Sequence, residues 1–325
     1  MRLYEMSHQA LSMPETTVIV VGGPTASGKS ALALDLAEEF GGTVINADSM
    51  QIYRELSVLT ARPSAADEVR APHRLYGALA PSERCTAARW QSMALEGIRT
   101  AHASGRVPIV VGGTGLYLRA LMEGLADIPP VPADIRAWSR DLHASVGSSG
   151  LHALLAEQDP ETAARLKSGD TQRLLRAWEV LEATGRSITA WQSDPSAGPP
   201  IGLRFLPIVV DPPREALYAA CDERFDRMIE LGALDEVRAL MALDLPADLP
   251  VMKALGVPEL SSYLRGETDL PAAAAIARQS TRRYAKRQGT WFRHQLAAVH
   301  GCHVISTQYS ESLKPAVCNI IRKMG

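Results

Sequence analysis

The sequence predicts an α/β protein, a parallel sheet with helices on both faces and one helical insertion. Three observations carry that expectation. Short, continuously apolar, β-branched runs at Thr17–Val21 (TVIVV), Pro108–Val111 (PIVV) and Arg204–Val210 (RFLPIVV) suit strands buried on both faces. Helically spaced stretches separate them, the alternation of a sheet built with crossover helices. Two breaks rich in proline and glycine, DIPPVPADIR from Asp127 and SDPSAGPPIG from Ser193, enclose a segment with almost no β-rich run.

Taken in order, residues 1–16 read as a loose extension. Arg2, Glu5 and His8 interrupt it and it lacks the apolar core of a secretory signal. After the strand Thr17–Val21, SALALDLAEEF from Ser30 has helical spacing and stops at Gly41-Gly42. A strand Thr43–Ala47 ends in Asp48-Ser49, and a further strand lies within Pro72–Pro81. Thr86–His102 reads as a helix closed by Gly105, and Pro108–Val111 as a strand ending in Gly112-Gly113. In the insertion, helices are expected over Ala133–Ser145, Leu151–Glu157, Glu161–Lys167 and Thr171–Thr184. Strand character returns over Arg204–Val210, and helices dominate from Arg214. The division is therefore an extension (1–16), a core (17–126 with 201–325) and an inserted helical domain (127–200).

Composition narrows the function. Among 325 residues, 46% are hydrophobic and 22% charged, which excludes a disordered or fibrous chain. The net charge of −2, from 34 basic against 36 acidic residues, excludes a wholly basic nucleic-acid coat; any such contact must come from a local patch. Cys85, Cys221, Cys302 and Cys318 form no CxxC pair and no zinc spacing, so a reduced, cytoplasmic chain is expected. No apolar run reaches the roughly 20 residues that span a bilayer, so no membrane partner is expected.

One motif carries chemistry outright. Gly23-Pro24-Thr25-Ala26-Ser27-Gly28-Lys29-Ser30 fits GxxxxGK[ST], between a strand and a helix where such a loop must sit, and makes the core P-loop NTPase-like. Glycines let backbone N–H groups converge on phosphate oxygens, and the helix N-terminus adds roughly half an elementary charge. Lys29 supplies a point charge and the Ser30 hydroxyl a ligand for Mg²⁺. The loop indicates phosphate binding, not which phosphate compound.

No carboxylate follows the strand Pro108–Val111, which ends in GGTG; Asp211, after IVV and before two prolines, can substitute as the acid partner or simply mark the exit from strand to loop. No NKxD-like guanine reader is present, which excludes a GTPase. Asp48 closes the second strand, where open α/β sheets bind ligands. It can hold a hydrated metal, act as a general base, or simply cap the turn into Ser49-Met50. Between Leu270 and Ser310 there is no acid, while Arg278, Arg282, Arg283, Lys286, Arg287 and Arg293 are basic. Arg278, Arg282 and Lys286 recur every four residues on one helix face, interleaved with Tyr284, Trp291 and Phe292. That pattern suits unpaired RNA bases and phosphates, or a solvated face over core aromatics.

Six segments in this order resemble the bacterial tRNA dimethylallyltransferases: GPTASGKS (23–30), NADSMQIYRELSVLTARP (46–63), APHRLYG (71–77), VVGGTGLYLRAL (110–121), DTQRLLRAWEV (170–180) and KRQGTWFR (286–293). The similarity runs from about Thr17 to His303. It implies transfer of a dimethylallyl group from its diphosphate to N6 of the adenosine just 3′ of a tRNA anticodon, in tRNAs that read codons beginning with U. The loop at 23–30 would then hold a diphosphate leaving group with Mg²⁺ on Ser30, which accounts for a missing acid partner.

The resemblance further implies Asp48 as general base, Thr114 beside the reaction centre and Arg224 facing the pyrophosphate; by its neighbours Asp222, Glu223 and Asp226 alone, Arg224 is a surface helix charge. It implies contacts to the tRNA anticodon stem-loop from Asp48, Ser49, Met50, Gln51, Thr114, Arg136, Gln172, Arg173, Leu174, Leu175, Arg176, Lys253, Lys286, Arg287, Gln288, Trp291 and Arg293, with the base entering a channel between core and insertion. The working unit is expected to be a monomer. The chain departs from the family at Gly256-Val257-Pro258, where Gly-Tyr-Arg is usual, and at Ser57-Val58-Leu59-Thr60. Two other readings stand beside this one: a P-loop small-molecule kinase with the insertion as lid, and a non-enzymatic RNA-binding switch.

Overall fold

Six parallel strands form one sheet in the computed structural model, which describes residues 16–194, 198, 200 and 202–324. In chain order the first half comprises β1 (Thr17–Gly22), α1 (Lys29–Phe40), β2 (Gly42–Asn46), α2 (Ala65–Arg70), β3 (His73–Arg74), α3 (Ala87–Ala103), β4 (Val107–Gly112) and α4 (Gly115–Glu123). Four helices follow, α5 (Ala133–Gln158), α6 (Pro160–Arg165), α7 (Thr171–Thr184) and α8 (Ile188–Gln192). The remainder is β5 (Arg204–Val210), α9 (Arg214–Glu230), α10 (Ala233–Met241), α11 (Val257–Leu264), α12 (Leu270–His294), β6 (His303–Ile305) and α13 (Lys314–Met324). The expected extension at 1–16 lies, but for Thr16, outside the described residues, as does part of the break at 193–202.

The chain divides into two units, Met1–Met122 with Ile201–Gly325, and Glu123–Pro200. In the first, the strand order is β3-β2-β4-β1-β5-β6, which puts β1 at the centre between β4 and β5. Every residue of β1 is buried. Because side chains alternate across a sheet, Val18 and Val20 enter one apolar layer, with α3, α9 and α12, while Ile19 and Val21 enter the other, with α1 and α13. The second unit packs α5 against α7 around Leu151, Leu155, Leu174 and Trp178.

Three expectations need correction. The strand within Pro72–Pro81 is only two residues long, bounded by Pro72 and by Leu75 in the left-handed region (φ 66°), with an isolated bridge from Tyr53 to Leu79 beyond it. The helices expected at Ala133–Ser145 and Leu151–Glu157 run together as α5, bent at Gly147 (φ 69°, ψ 176°). The short strand β6 is missing from the sequence reading, because three residues opening on a histidine carry no period.

Candidate active site

The site is assembled at the carboxyl ends of the strands. There β1 leads into the loop at 23–30, β2 into Asp48, β4 into Gly113-Thr114 and β5 into Asp211. In the loop, Ala26 is left-handed (φ 62°) and Gly28 caps α1 at φ 90°. The first N–H groups of α1 have no carbonyl a turn earlier to bond, so they face the loop's concavity as donors. Lys29 is buried and its Nζ donates to the Pro24 carbonyl at 3.2 Å. Burial holds its pKa down at about 8; the Arg224 charge adds to this and Asp48 opposes it. The Ser27 hydroxyl is buried with no protein partner, an orphan that suits a phosphate oxygen.

Asp48 does two things at once. Its Oδ1 accepts the Met50 N–H at 2.8 Å and the Gln51 N–H at 3.4 Å, the turn cap that its sequence context permits. Its Oδ2 is bonded to no protein group among the described residues. Asn46, which the sequence reading passed over, is fully buried and fixes Asp48 from behind. Its Oδ1 accepts the Asp48 N–H at 2.8 Å, and its Nδ2 donates to the carbonyls of Asp48 and Leu75, each at 3.0 Å. Trp90, buried and stacked on Tyr117 at 4.6 Å, donates its indole N–H to the Asn46 carbonyl. Thr114 accepts the Ser49 N–H through Oγ1 at 2.9 Å and donates to Ser49 Oγ at 3.2 Å, which ties the β4 end to the Asp48 turn.

Arg224 lies on α9, within electrostatic reach of Asp48. Burial lowers its pKa, and Cys221 and Asp48 act on it electrostatically. Arg224 is half-buried and also lines an open concavity with Ser57, Arg62 and Arg227. Asp211 is engaged by Arg293 at 3.4 Å. Ser30, an exposed residue at the second position of α1, supplies a hydroxyl oxygen, the donor type that Mg²⁺ takes beside its waters.

The residues expected to meet RNA fall into different classes. Gln288 is 5% exposed, and its amide is committed to backbone: Oε1 accepts the Thr25 N–H and Nε2 donates to the Gly113 carbonyl, both at 2.8 Å. A Cβ on Gly113 would sit 2.2 Å from that Nε2, which is why glycine stands there. Gln288 thus braces the phosphate loop against the Gly113 turn. Trp291 lies against Gly115, and Arg278 and Arg282 are paired with Asp226 and Asp222 of α9 at 2.6 Å. Arg283, Lys286, Arg287 and Thr290, at i, i+3, i+4 and i+7, line an open concavity of about 400 Å³ instead. Lys253 ends a single 3₁₀ turn, and Val257, at the departure from the family pattern, is a buried core residue. In the inserted unit, Gln172 and Arg173 are exposed, and Arg176 feels the charge of Arg136. Leu174 is buried in that unit's own core, so its side chain is closed to RNA.

The IPP transferase family model matches residues 51–295, and the isopentenyl transferase model residues 16–84. A tRNA dimethylallyltransferase of Rhodospirillum centenum is 65% identical over 88% of this chain and 91% of its own length. That of Paramagnetospirillum magneticum is 53% identical over 96% and 98%. Among solved structures, a eukaryotic dimethylallyltransferase acting on tRNA aligns with a TM-score of 0.80 at 27% identity, covering 94% of this chain and 78% of that one. The tRNA isopentenylpyrophosphate transferase of Bacillus halodurans aligns at 0.66 and 30% identity, covering 95% and 98%. With a phosphate-type loop set beside Asp48 and these matches over most of its length, the chain belongs to the tRNA dimethylallyltransferase family.

Proposed function

We propose that the protein transfers a dimethylallyl group from dimethylallyl diphosphate to N6 of the adenosine 3′-adjacent to the anticodon, in tRNAs reading codons that begin with U, and releases pyrophosphate. The observation that carries this reading is the adjacency of cradle and acid. The Asp48 charge acts on buried Lys29, while Asp48 Oδ2 is uncommitted.

The chemistry follows from that arrangement. The bond that breaks joins the allylic carbon to the diphosphate oxygen, and the electron pair goes to the diphosphate. Lys29, Arg224 and the first N–H groups of α1 stabilise the charge that builds there, in a site where burial magnifies each of them. Ser30 would hold a hydrated Mg²⁺, which when bound neutralises diphosphate charge. The adenine amine is a weak nucleophile, since its lone pair is delocalised into the ring. It attacks the allylic carbon as that carbon gains cationic character, and N6 becomes acidic as the new bond forms. Asp48 Oδ2 takes the proton, help worth about 10²–10⁴ in rate. Asn46 and the turn amides hold the carboxylate at a fixed angle while this happens.

On the RNA side, the unpaired basic face of α12 (Arg283, Lys286 and Arg287) suits the phosphate backbone, and in the inserted unit Arg136, Gln172, Arg173 and Arg176 suit the stem-loop. Incubation with dimethylallyl diphosphate, Mg²⁺ and unmodified tRNA, followed by mass spectrometry of the digested nucleosides, tests the reading. Isopentenyladenosine is expected. ATP turnover without it would replace the reading with a kinase, and neither product with a binding protein.

A further inference from the structure

Downstream of β6 the chain turns back beneath the phosphate loop. Residues 306–310 lie beyond both family-model matches, and the sequence resemblance stops short of them. Gln308 Nε2 donates to the Ala26 carbonyl at 2.6 Å, and the Tyr309 N–H donates to the Ser27 carbonyl at 3.3 Å. The Tyr309 hydroxyl donates to Asp35 of α1 at 2.7 Å, which anchors the strap to the helix that the loop feeds. The fit is close, since a Cβ on Gly28 would lie 2.9 Å from the Tyr309 Cβ.

Two consecutive carbonyls of the cradle are thus held from outside by a distant segment. In a trans peptide the C=O and the following N–H point in opposite directions. Holding the Ser27 carbonyl against the strap therefore turns the Gly28 N–H the other way, toward the concavity where an anion sits. Ala26 makes the support necessary. It is a non-glycine residue at φ 62°, a strained conformation that persists only where its surroundings impose it. Gln308 imposes it by holding the Ala26 carbonyl. Its own Oε1 is buried and has no protein partner, so the amide serves this one bond and no wider network.

We infer that Gln308 is a positioning residue for the diphosphate: while the Tyr309 N–H holds the Ser27 carbonyl, Gln308 pins the Ala26 carbonyl and so fixes the loop backbone that presents the Gly28 N–H before the donor arrives. The inference rests on the reading of the loop at 23–30 as the donor's diphosphate site. Gln308→Met keeps the volume of the side chain, removes the donor and removes the buried orphan oxygen. Loss of one such bond on a half-buried carbonyl is expected to raise KM for dimethylallyl diphosphate about tenfold. KM for tRNA should stay within about twofold of wild type, and so should kcat at saturating donor. The melting temperature should move by less than about 2 °C.

Lys29→Ala serves as the control for the underlying reading. If Lys29→Ala leaves donor KM unchanged, the loop is not the diphosphate site and the reading itself goes. If Lys29→Ala raises donor KM while Gln308→Met does not, the reading stands and the strap is only packing. If Gln308→Met lowers the melting temperature and shifts donor and tRNA parameters together, its role is structural and the inference is overturned. Gln308→Glu gives a second check, because a carboxylate facing the Ala26 carbonyl cannot donate and must raise donor KM at least as much.

Discussion

Gln288 Oε1 lies 2.8 Å from the amide nitrogen of Thr25, 263 positions earlier in the chain. The same side chain reaches the Gly113 carbonyl, so one buried amide ties the phosphate loop to the turn that carries Thr114. Removing it leaves a buried N–H and a buried carbonyl unpaired. Gln288→Ala is expected to cost about 2 kcal/mol, roughly 4–8 °C in melting temperature, and to raise donor KM. Its affinity for tRNA, measured against salt, should keep the wild-type slope. A reduced slope with an unchanged melting temperature would make Gln288 an RNA contact after all.

Asp48→Asn separates the two things that Asp48 does. Asparagine retains an oxygen for the Met50 and Gln51 amides, so the turn should survive, but it cannot accept the N6 proton. The expected result is a fall in kcat of about 10²–10⁴-fold with donor KM within about twofold. Stopped-flow or quench measurements of a single turnover, with circular dichroism as the folding control, decide it. A variant that turns over within threefold of wild type would show that the proton leaves by another route.

Lys29 gives the site a pH dependence. Its pKa of about 8 means that the ammonium is charged at neutral pH and loses its proton as pH rises through 8, chiefly because it is buried. Donor affinity is therefore complete below that pH and falls above it, by up to about tenfold per unit until a bound anion's own pull on the proton is overcome. Titration calorimetry of a non-reactive prenyl diphosphate analogue between pH 7 and 9.5 checks this. A flat profile would mean that the lysine is not desolvated in solution.

The loop at 23–30 and the buried strands were legible because each is a local pattern: a fixed spacing in the first case, an unbroken apolar run in the second. The site's supports were not. Gln288, Asn46 and the residues they hold are brought together by the sheet, and nothing in the spacing of KRQGTW separates a strut from an RNA contact. Helix period did reveal that Arg278, Arg282 and Lys286 share a face. It could not show that Asp226 and Asp222 on α9 already occupy the first two. In DTQRLLRAWEV, likewise, the motif marks the segment while the 3.6-residue turn divides it: Gln172, Arg173 and Arg176 outward, Leu174 and Trp178 into the unit's core.

That division of α12 is itself testable. Arg283, Lys286 and Arg287 have no acidic partner among the described residues, whereas Arg278 and Arg282 are neutralised by α9. Each phosphate contact releases a condensed counterion, so the log–log dependence of tRNA affinity on salt has a slope of about −0.7 to −0.9 per contact. Replacing Arg283, Lys286 and Arg287 together by alanine should weaken binding and flatten that slope by about 2–3. Replacing Arg278 and Arg282 by alanine should leave the slope as it is and lower stability slightly, because partly exposed pairs contribute little. Filter-binding or fluorescence-anisotropy curves at four or more salt concentrations distinguish the two faces. Slopes flattened equally in the two variants would mean that the α9 acids release their arginines when RNA binds, and both sets of cations would then form the interface.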